Sequence, residues 1–147
     1  PNYSFDRILH TIQTNFSNIK PQELKICILG LSFKSNTGDC RFTPTISLIK
    51  DLINKGYKVV AYDKFVSDED FKAFKNVIRA HKIDEALKNA QVVAFLTGHD
   101  EFKLIEITKL KNLLKPNAFI YDGRMYFSNE AINEFKDANF IFKGVGR

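Results

Sequence analysis

Four short, almost wholly apolar runs punctuate this chain: Lys25–Gly30, Lys58–Tyr62, Gln91–Thr97 and Ala118–Tyr121. Each is too short for a buried helix and ends in a polar turn, as a strand covered on both faces does. Between them the apolar positions fall at helical spacing. Thr43 offers an N-cap oxygen and Pro44 a preset φ for a helix whose face is Ile46, Ile49, Leu52 and Ile53, closed by Gly56. A charged helical piece is predicted over 68–75, a short strand at 77–79, and helices over 83–88, 102–114 and 128–136, the last capped by Ser128. A final strand is predicted at 139–142. Alternation of this kind predicts an α/β fold with a parallel sheet, right-handed crossovers and helices on both faces. Ahead of it, Phe5, Ile8, Leu9, Ile12 and Phe16 line one face of a helix over 5–17, and residues 18–23, with Pro21, form a connector.

The chain has 147 residues, enough for one domain with its own core. Hydrophobic residues make up 44% and charged ones 27%, an ordinary balance for a water-soluble domain. No apolar run approaches the roughly 18–20 residues that span a bilayer, and no secretory leader is visible. The chain begins at Pro1 without a Met, so a fragment or processed product is expected. Cys27 lies in a strand and reads as a small buried hydrophobe, while Cys40 sits in a polar turn and could be exposed. Two unpaired cysteines fit a reducing, cytoplasmic compartment. The net charge of +5 favours anionic ligands. It is the sole support for a nucleic-acid reading, and no nucleic-acid or membrane partner is expected. Lys50, Lys55, Lys72, Lys75, Lys109 and Lys111 read as solvated helix faces.

In such a fold a ligand lies outside the carboxyl ends of the strands. The residues to weigh are therefore 33–41, Asp63, 97–100 and 122–124. Lys34 and Arg41 could reach phosphate oxygens, with Asp39 holding Arg41 and the helix after Thr43–Pro44 adding a positive dipole end. A solvent-exposed turn kept soluble by its charges is the plainer reading. Arg124, after Asp122 and Gly123, would face the same edge, unless it only pairs with Asp122. Asp63 stands where a dinucleotide domain places its ribose-binding acid, but Leu31, Ser32 and Phe33 follow Gly30 in place of further glycines. It reads better as a strand-end cap. His99, beside Asp100, has no assignable nucleophile and reads as a turn residue or ligand contact. No spacing suggests a metal.

Gly30-Leu-Ser-Phe-Lys-Ser-Asn-Thr-Gly-Asp-Cys-Arg-Phe-Thr-Pro44 closely resembles the G-x-x-F-K-x-x-T-x-D-x-R-x-S/T-P segment of the UDP-glucose/GDP-mannose dehydrogenases. Ala61-Tyr-Asp63, Thr97-Gly-His-Asp-Glu-Phe102, Tyr121-Asp-Gly-Arg124 and Gly144-Val-Gly146 extend the likeness in order. The resemblance implies the C-terminal UDP-binding domain, a Rossmann-like three-layer sandwich with a mainly parallel sheet of five to six strands, over residues 19–147. Residues 1–18 would then be the end of the family's central interdomain helix. It implies a part in the two-step, NAD-dependent oxidation of the C6 alcohol of a UDP-sugar, or a GDP-sugar, to a uronic acid. By the same resemblance Phe33, Lys34 and Arg124 bind substrate, and Arg41 reaches NAD across the cleft. Phe42 departs from the Glu of many members. The catalytic cysteine, its partners and the G-x-G-x-x-G that binds NAD belong to the family's other regions, so no catalytic residue is expected here and Cys40 is no nucleophile. The full-length enzyme is expected to be a homodimer or higher assembly, with a monomer left open for this domain alone. A stand-alone nucleotide-binding or regulatory module is the alternative.

Overall fold

The computed structural model describes residues 3–32, 34–40 and 43–145. Six strands, β1 (Lys25–Leu29), β2 (Lys58–Tyr62), β3 (Ile78–Arg79), β4 (Val92–Phe95), β5 (Phe119–Asp122) and β6 (Ile141–Gly144), form one sheet in the order β3-β2-β1-β4-β5-β6. Every pairing is parallel. The helices are α1 (Tyr3–Asn15), α2 (Thr45–Asn54), α3 (Asp68–Phe71), α4 (Ile83–Leu87), α5 (Asp100–Lys103), α6 (Ile107–Leu113) and α7 (Asn129–Asp137).

Side-chain parity along the strands builds two cores. Ile26 and Ile28 of β1 join α2, α3 and Val59 and Ala61 of β2 on one face. Cys27 and Leu29 face the other way, onto α4, α5, α6 and α7. The crossovers out to β2 and β3 thus cover the first face, and those running through β4, β5 and β6 cover the second, as right-handed connections on either side of β1 require. That leaves the first face bare over β4 and β5. The buried stripe of Ile8 and Ile12 of α1, continued by Phe16 just past its end, fills the space, against the core that holds Val92, Ala94, Phe119 and Tyr121. Arg7 ties the helix to β6, donating to the Gly144 carbonyl at 2.8 Å.

The helix-to-strand returns share one device. Gly56, Asn76, Asn89, Asn117 and Asn139, two or three residues ahead of β2, β3, β4, β5 and β6, all have positive φ. Asn tolerates that conformation better than other side chains, and Gly best of all. At Gly56 (φ 91°) it completes a Schellman end: Tyr57 N donates to Leu52 O at 3.2 Å and Gly56 N to Ile53 O at 2.9 Å.

The elements fall close to where the residues place them, with some differences. The helical piece expected over 68–75 stops at Phe71, and the strand expected at 139–142 runs over Ile141–Gly144. The first turn of α2 is tight, so Pro44 occupies the cap position and Thr43 Oγ1 accepts from Thr45 N at 3.4 Å. The helix expected over 102–114 is broken: the backbone extends at Glu106 (φ −75°, ψ 147°), and α5 and α6 lie on either side. Ile105 and Ile107 both pack against the second core at a spacing of two, which a continuous helix cannot achieve.

Candidate functional site

The ends of β1, β2, β4 and β5 meet at one edge. Gly30 (φ 99°) turns the chain sharply off β1, where any side chain would collide with Thr97. Leu31 and Ser32 then dive into the body, and Thr97 Oγ1 donates to Ser32 O at 3.1 Å. Lys34 emerges exposed. The turn closes at Asn36 (φ 57°), whose Oδ1 accepts from Asp100 N at 3.0 Å.

Asp63, at the end of β2, organises this turn from beneath. Its Oδ2 accepts from Leu31 N at 2.8 Å, Ser32 N at 3.2 Å and His99 Nε2 at 3.0 Å, and its Oδ1 accepts from Phe65 N at 3.0 Å. Burial pushes its carboxyl upward, but the bonds from His99, Leu31 and Phe65 outweigh that and hold it below the ordinary carboxylate value. Asp63 is therefore a strand-end cap. A dinucleotide does not fit this crossover: Leu31 is wholly buried, and the acid that would meet a ribose is 1% exposed with both oxygens occupied.

His99 lies in the turn after β4, as expected, and is 0% exposed. Its ring lies between Phe65, at 4.8 Å, and Phe102, at 5.3 Å between centroids. Its Nδ1 accepts from Asn36 N at 2.7 Å, so that nitrogen is unprotonated and Nε2 carries the hydrogen given to Asp63. Ser32 Oγ lies 3.3 Å from the same Nε2 but donates to Lys34 O, so the three side chains form no nucleophilic relay.

At β5, Asp122 is buried and caps the next turn, accepting from Arg124 N and Phe127 N, each at 3.0 Å. The contact expected between Asp122 and Arg124 is thus made through the Arg124 backbone. The guanidinium is left exposed, and among the described residues it makes no ion pair. Gly98 brings the turns together. A methyl group added there would sit 2.8 Å from Ser35 Oγ and 3.8 Å from Arg124 Nε. The turn carrying Lys34 and the turn carrying Arg124 therefore flank one point at the end of β4, which only a glycine leaves open.

Phe33, Arg41 and Phe42 lie outside the described residues. Cys40, expected to be exposable, is buried instead, and burial, followed by the nearby Asp63, Asp70 and Asp39 carboxylates, pushes its thiol up to about 11. Burial likewise raises Cys27 to about 12, against a smaller opposing effect of Lys25. Both remain thiols at neutral pH. Among the described residues no group of three or more His, Cys, Asp or Glu could hold a metal, and no helix is long and apolar enough to cross a membrane.

Sheet order and site together define a doubly wound parallel α/β domain that presents two exposed cations at the carboxyl ends of its strands, where this class takes its ligands. Residues 27–129 match the UDP binding domain of the UDP-glucose/GDP-mannose dehydrogenase family, and the chain belongs to that family. It is 34% identical over 123 residues to UDP-glucose 6-dehydrogenase TuaD of Bacillus subtilis, covering 83% of this chain and 26% of that protein. It is 28% identical over 167 residues to UDP-glucose 6-dehydrogenase 4 of Arabidopsis thaliana, covering 99% of this chain and 34% of the relative. The chain thus spans about a third or less of these curated relatives. Among solved structures, the NDP-N-acetyl-D-galactosaminuronic acid dehydrogenase of Methanosarcina mazei shares its fold with a TM-score of 0.81 at 23% identity, over 99% of this chain and 29% of that one.

Proposed function

We propose that this chain is the C-terminal, substrate-binding domain of an NAD-dependent UDP-sugar 6-dehydrogenase, and that it holds the nucleotide sugar without oxidising it. The observation that carries the reading is the approach of the Ser35 and Arg124 side chains at Gly98, which brings the turns bearing Lys34 and Arg124 together at one strand end. Two cations so placed can share the oxygens of a diphosphate, the ammonium as a point charge and the guanidinium as a fork. Phe33 would pack on the substrate beside Lys34, and Arg41 would reach toward NAD held on a separate domain. The unsuitability of the β1–β2 turn for a dinucleotide supports that division of labour, as do the relatives' greater lengths. NAD would supply hydride acceptance, and this chain's part is to bind and orient the sugar nucleotide. Residues 1–18 would belong to the helix joining the two domains of the whole protein, a cytoplasmic homodimer or larger assembly.

Titration calorimetry of the 147-residue chain with UDP-glucose, UDP and GDP tests this reading. Weak, saturable binding of a uridine or guanosine diphosphate species is expected, because half the cleft lies elsewhere. No NADH should form with NAD and UDP-glucose. Turnover by this chain alone, or no binding of any of the three, would overturn it.

A further inference from the structure

We infer that His99, in its neutral form with the hydrogen on Nε2, is the positioning residue of the Lys34 turn, and that loss of its Nδ1 acceptor releases that turn and weakens nucleotide-sugar binding. The inference rests on the proposed substrate site and deepens it.

The turn is held on both sides of Lys34. On the near side, Leu31 N and Ser32 N donate to Asp63, and Ser32 O accepts from Thr97. On the far side, Asn36 N donates to His99 Nδ1 at 2.7 Å, and Asn36 Oδ1 accepts from Asp100 N. His99 joins the two anchors, because its other nitrogen is hydrogen-bonded to the Asp63 oxygen that holds the near side. The imidazole therefore serves as a spacer between β2 and the far end of the turn, accepting at one nitrogen and donating at the other. Only one tautomer does both. A proton added at Nδ1 would set two donors against each other at Asn36, beside a ring that is itself buried.

Asp63 faces the ring from β2, Ser32 and Asn36 from the turn after β1, Phe65 from the segment after β2 and Phe102 from α5. Other charged groups on those elements include Lys34 and Asp39 after β1, Lys58 and Lys64 on and after β2, and Asp100, Glu101 and Lys103 of α5; Glu101 accepts from Tyr62 Oη at 3.0 Å and lies 3.6 Å from Lys64. Losing the acceptor at Nδ1 breaks the Asn36 bond while leaving the Asp63 bond, so the Lys34 turn is freed at its far end alone.

Two substitutions separate the nitrogens. His99→Gln keeps an amide donor near the Nε2 position and loses the acceptor for Asn36; His99→Asn keeps an acceptor near Nδ1 and loses the donor to Asp63. Hydrogen exchange of the Asn36 amide is followed by NMR on the 147-residue chain, with UDP-glucose as the ligand. In the unmodified protein the Asn36 amide and the amides of β1 should both be protected. In His99→Gln protection at Asn36 should be lost while β1 stays protected, with UDP-glucose affinity down about tenfold. In His99→Asn, which keeps the acceptor, protection at Asn36 should be retained. Protection of Asn36 in His99→Gln equal to that of the unmodified protein would overturn the inference, as would unchanged affinity once that protection is lost. Should His99→Asn fail to fold, His99→Gln with intact β1 protection still decides. If the unmodified protein binds no UDP-glucose, the substrate reading falls, and exchange at Asn36 judges the spacer role independently.

Discussion

His99 Nε2 and Asp63 Oδ2 stand 3.0 Å apart with both side chains closed to solvent, one from the turn after β4 and the other from the end of β2. β1 lies between the two strands they follow, and Asp63 also accepts from Leu31 N and Ser32 N, so their contact passes beneath the turn that carries Lys34. Asp63 accepts from three backbone amides besides His99, so an amide in its place would turn donors toward donors. Asp63→Asn is expected to cost about 2–4 kcal/mol of stability, measured by denaturant unfolding. A loss below about 0.5 kcal/mol would mean that the cap is dispensable.

The pH dependence of stability follows from the same carboxylate. Its value in the folded protein lies below the ordinary one, so folding favours the ionised form. The resulting stability is fully present above the unfolded value, about pH 4, and is lost as pH falls through the folded value. Asp63→Asn should flatten this acid limb of a stability–pH profile. An identical limb in the variant would assign acid unfolding to other groups.

Lys34 and Arg124 are exposed, so replacing either with Ala should leave the melting temperature nearly unchanged. Each should weaken UDP-glucose binding by about 1–3 kcal/mol, the cost of a charged hydrogen bond. Titration curves superimposable on the unmodified protein's would remove that residue from the site.

Met125 is out of keeping with the rest of the backbone. Among the described residues, the other non-glycine positions with positive φ are all Asn, whereas Met125 holds φ 59° beside Arg124. A left-handed conformation strains an unbranched L side chain that can make no local hydrogen bond. Met125→Gly should therefore raise stability by about 0.5–1 kcal/mol, seen as a higher melting temperature. A fall in melting temperature would show that the half-exposed side chain contributes more by packing than its backbone costs.

Ile12 is 1% exposed in the stripe by which α1 covers the first face of the sheet. Ile12→Ala should cost about 2–4 kcal/mol, the usual toll of such a truncation. A cost near that of a surface substitution would show that α1 adds little to this domain's stability.

Much of this architecture was open to reading along the chain. Strand β2 runs from Lys58 to Tyr62, where its apolar run stands in the sequence, because a covered parallel strand needs little more than five apolar residues and a turn. The cap by Ser128 was equally plain, since its hydroxyl and the Ala131 amide it binds lie within one turn. The glycine stop at 56 was visible too, but its equivalents at Asn76, Asn89, Asn117 and Asn139 were not. Asn is common in ordinary loops, and only its recurrence just before strands β3 to β6 marks it out. The break between α5 and α6 could have been found from the spacing of Ile105 and Ile107.

Two matters waited on the folded chain. Helical period marked Ile8, Ile12 and Phe16 as one apolar face, but what that face covers depends on which half-sheet the crossovers leave bare. Asp63 and His99 lie 36 positions apart, and nothing local to either names the other. The order β2-β1-β4 sets their strand ends on either side of β1, and burial then obliges the carboxylate and the imidazole to satisfy each other. Local residue choice specified the strands, the caps and the cation-bearing turns of this protein, because those depend on neighbours within a few bonds. Sheet order alone brought the turns to Gly98 and placed a buried histidine beneath Lys34, because contacts of that kind exist only after the chain has closed on itself.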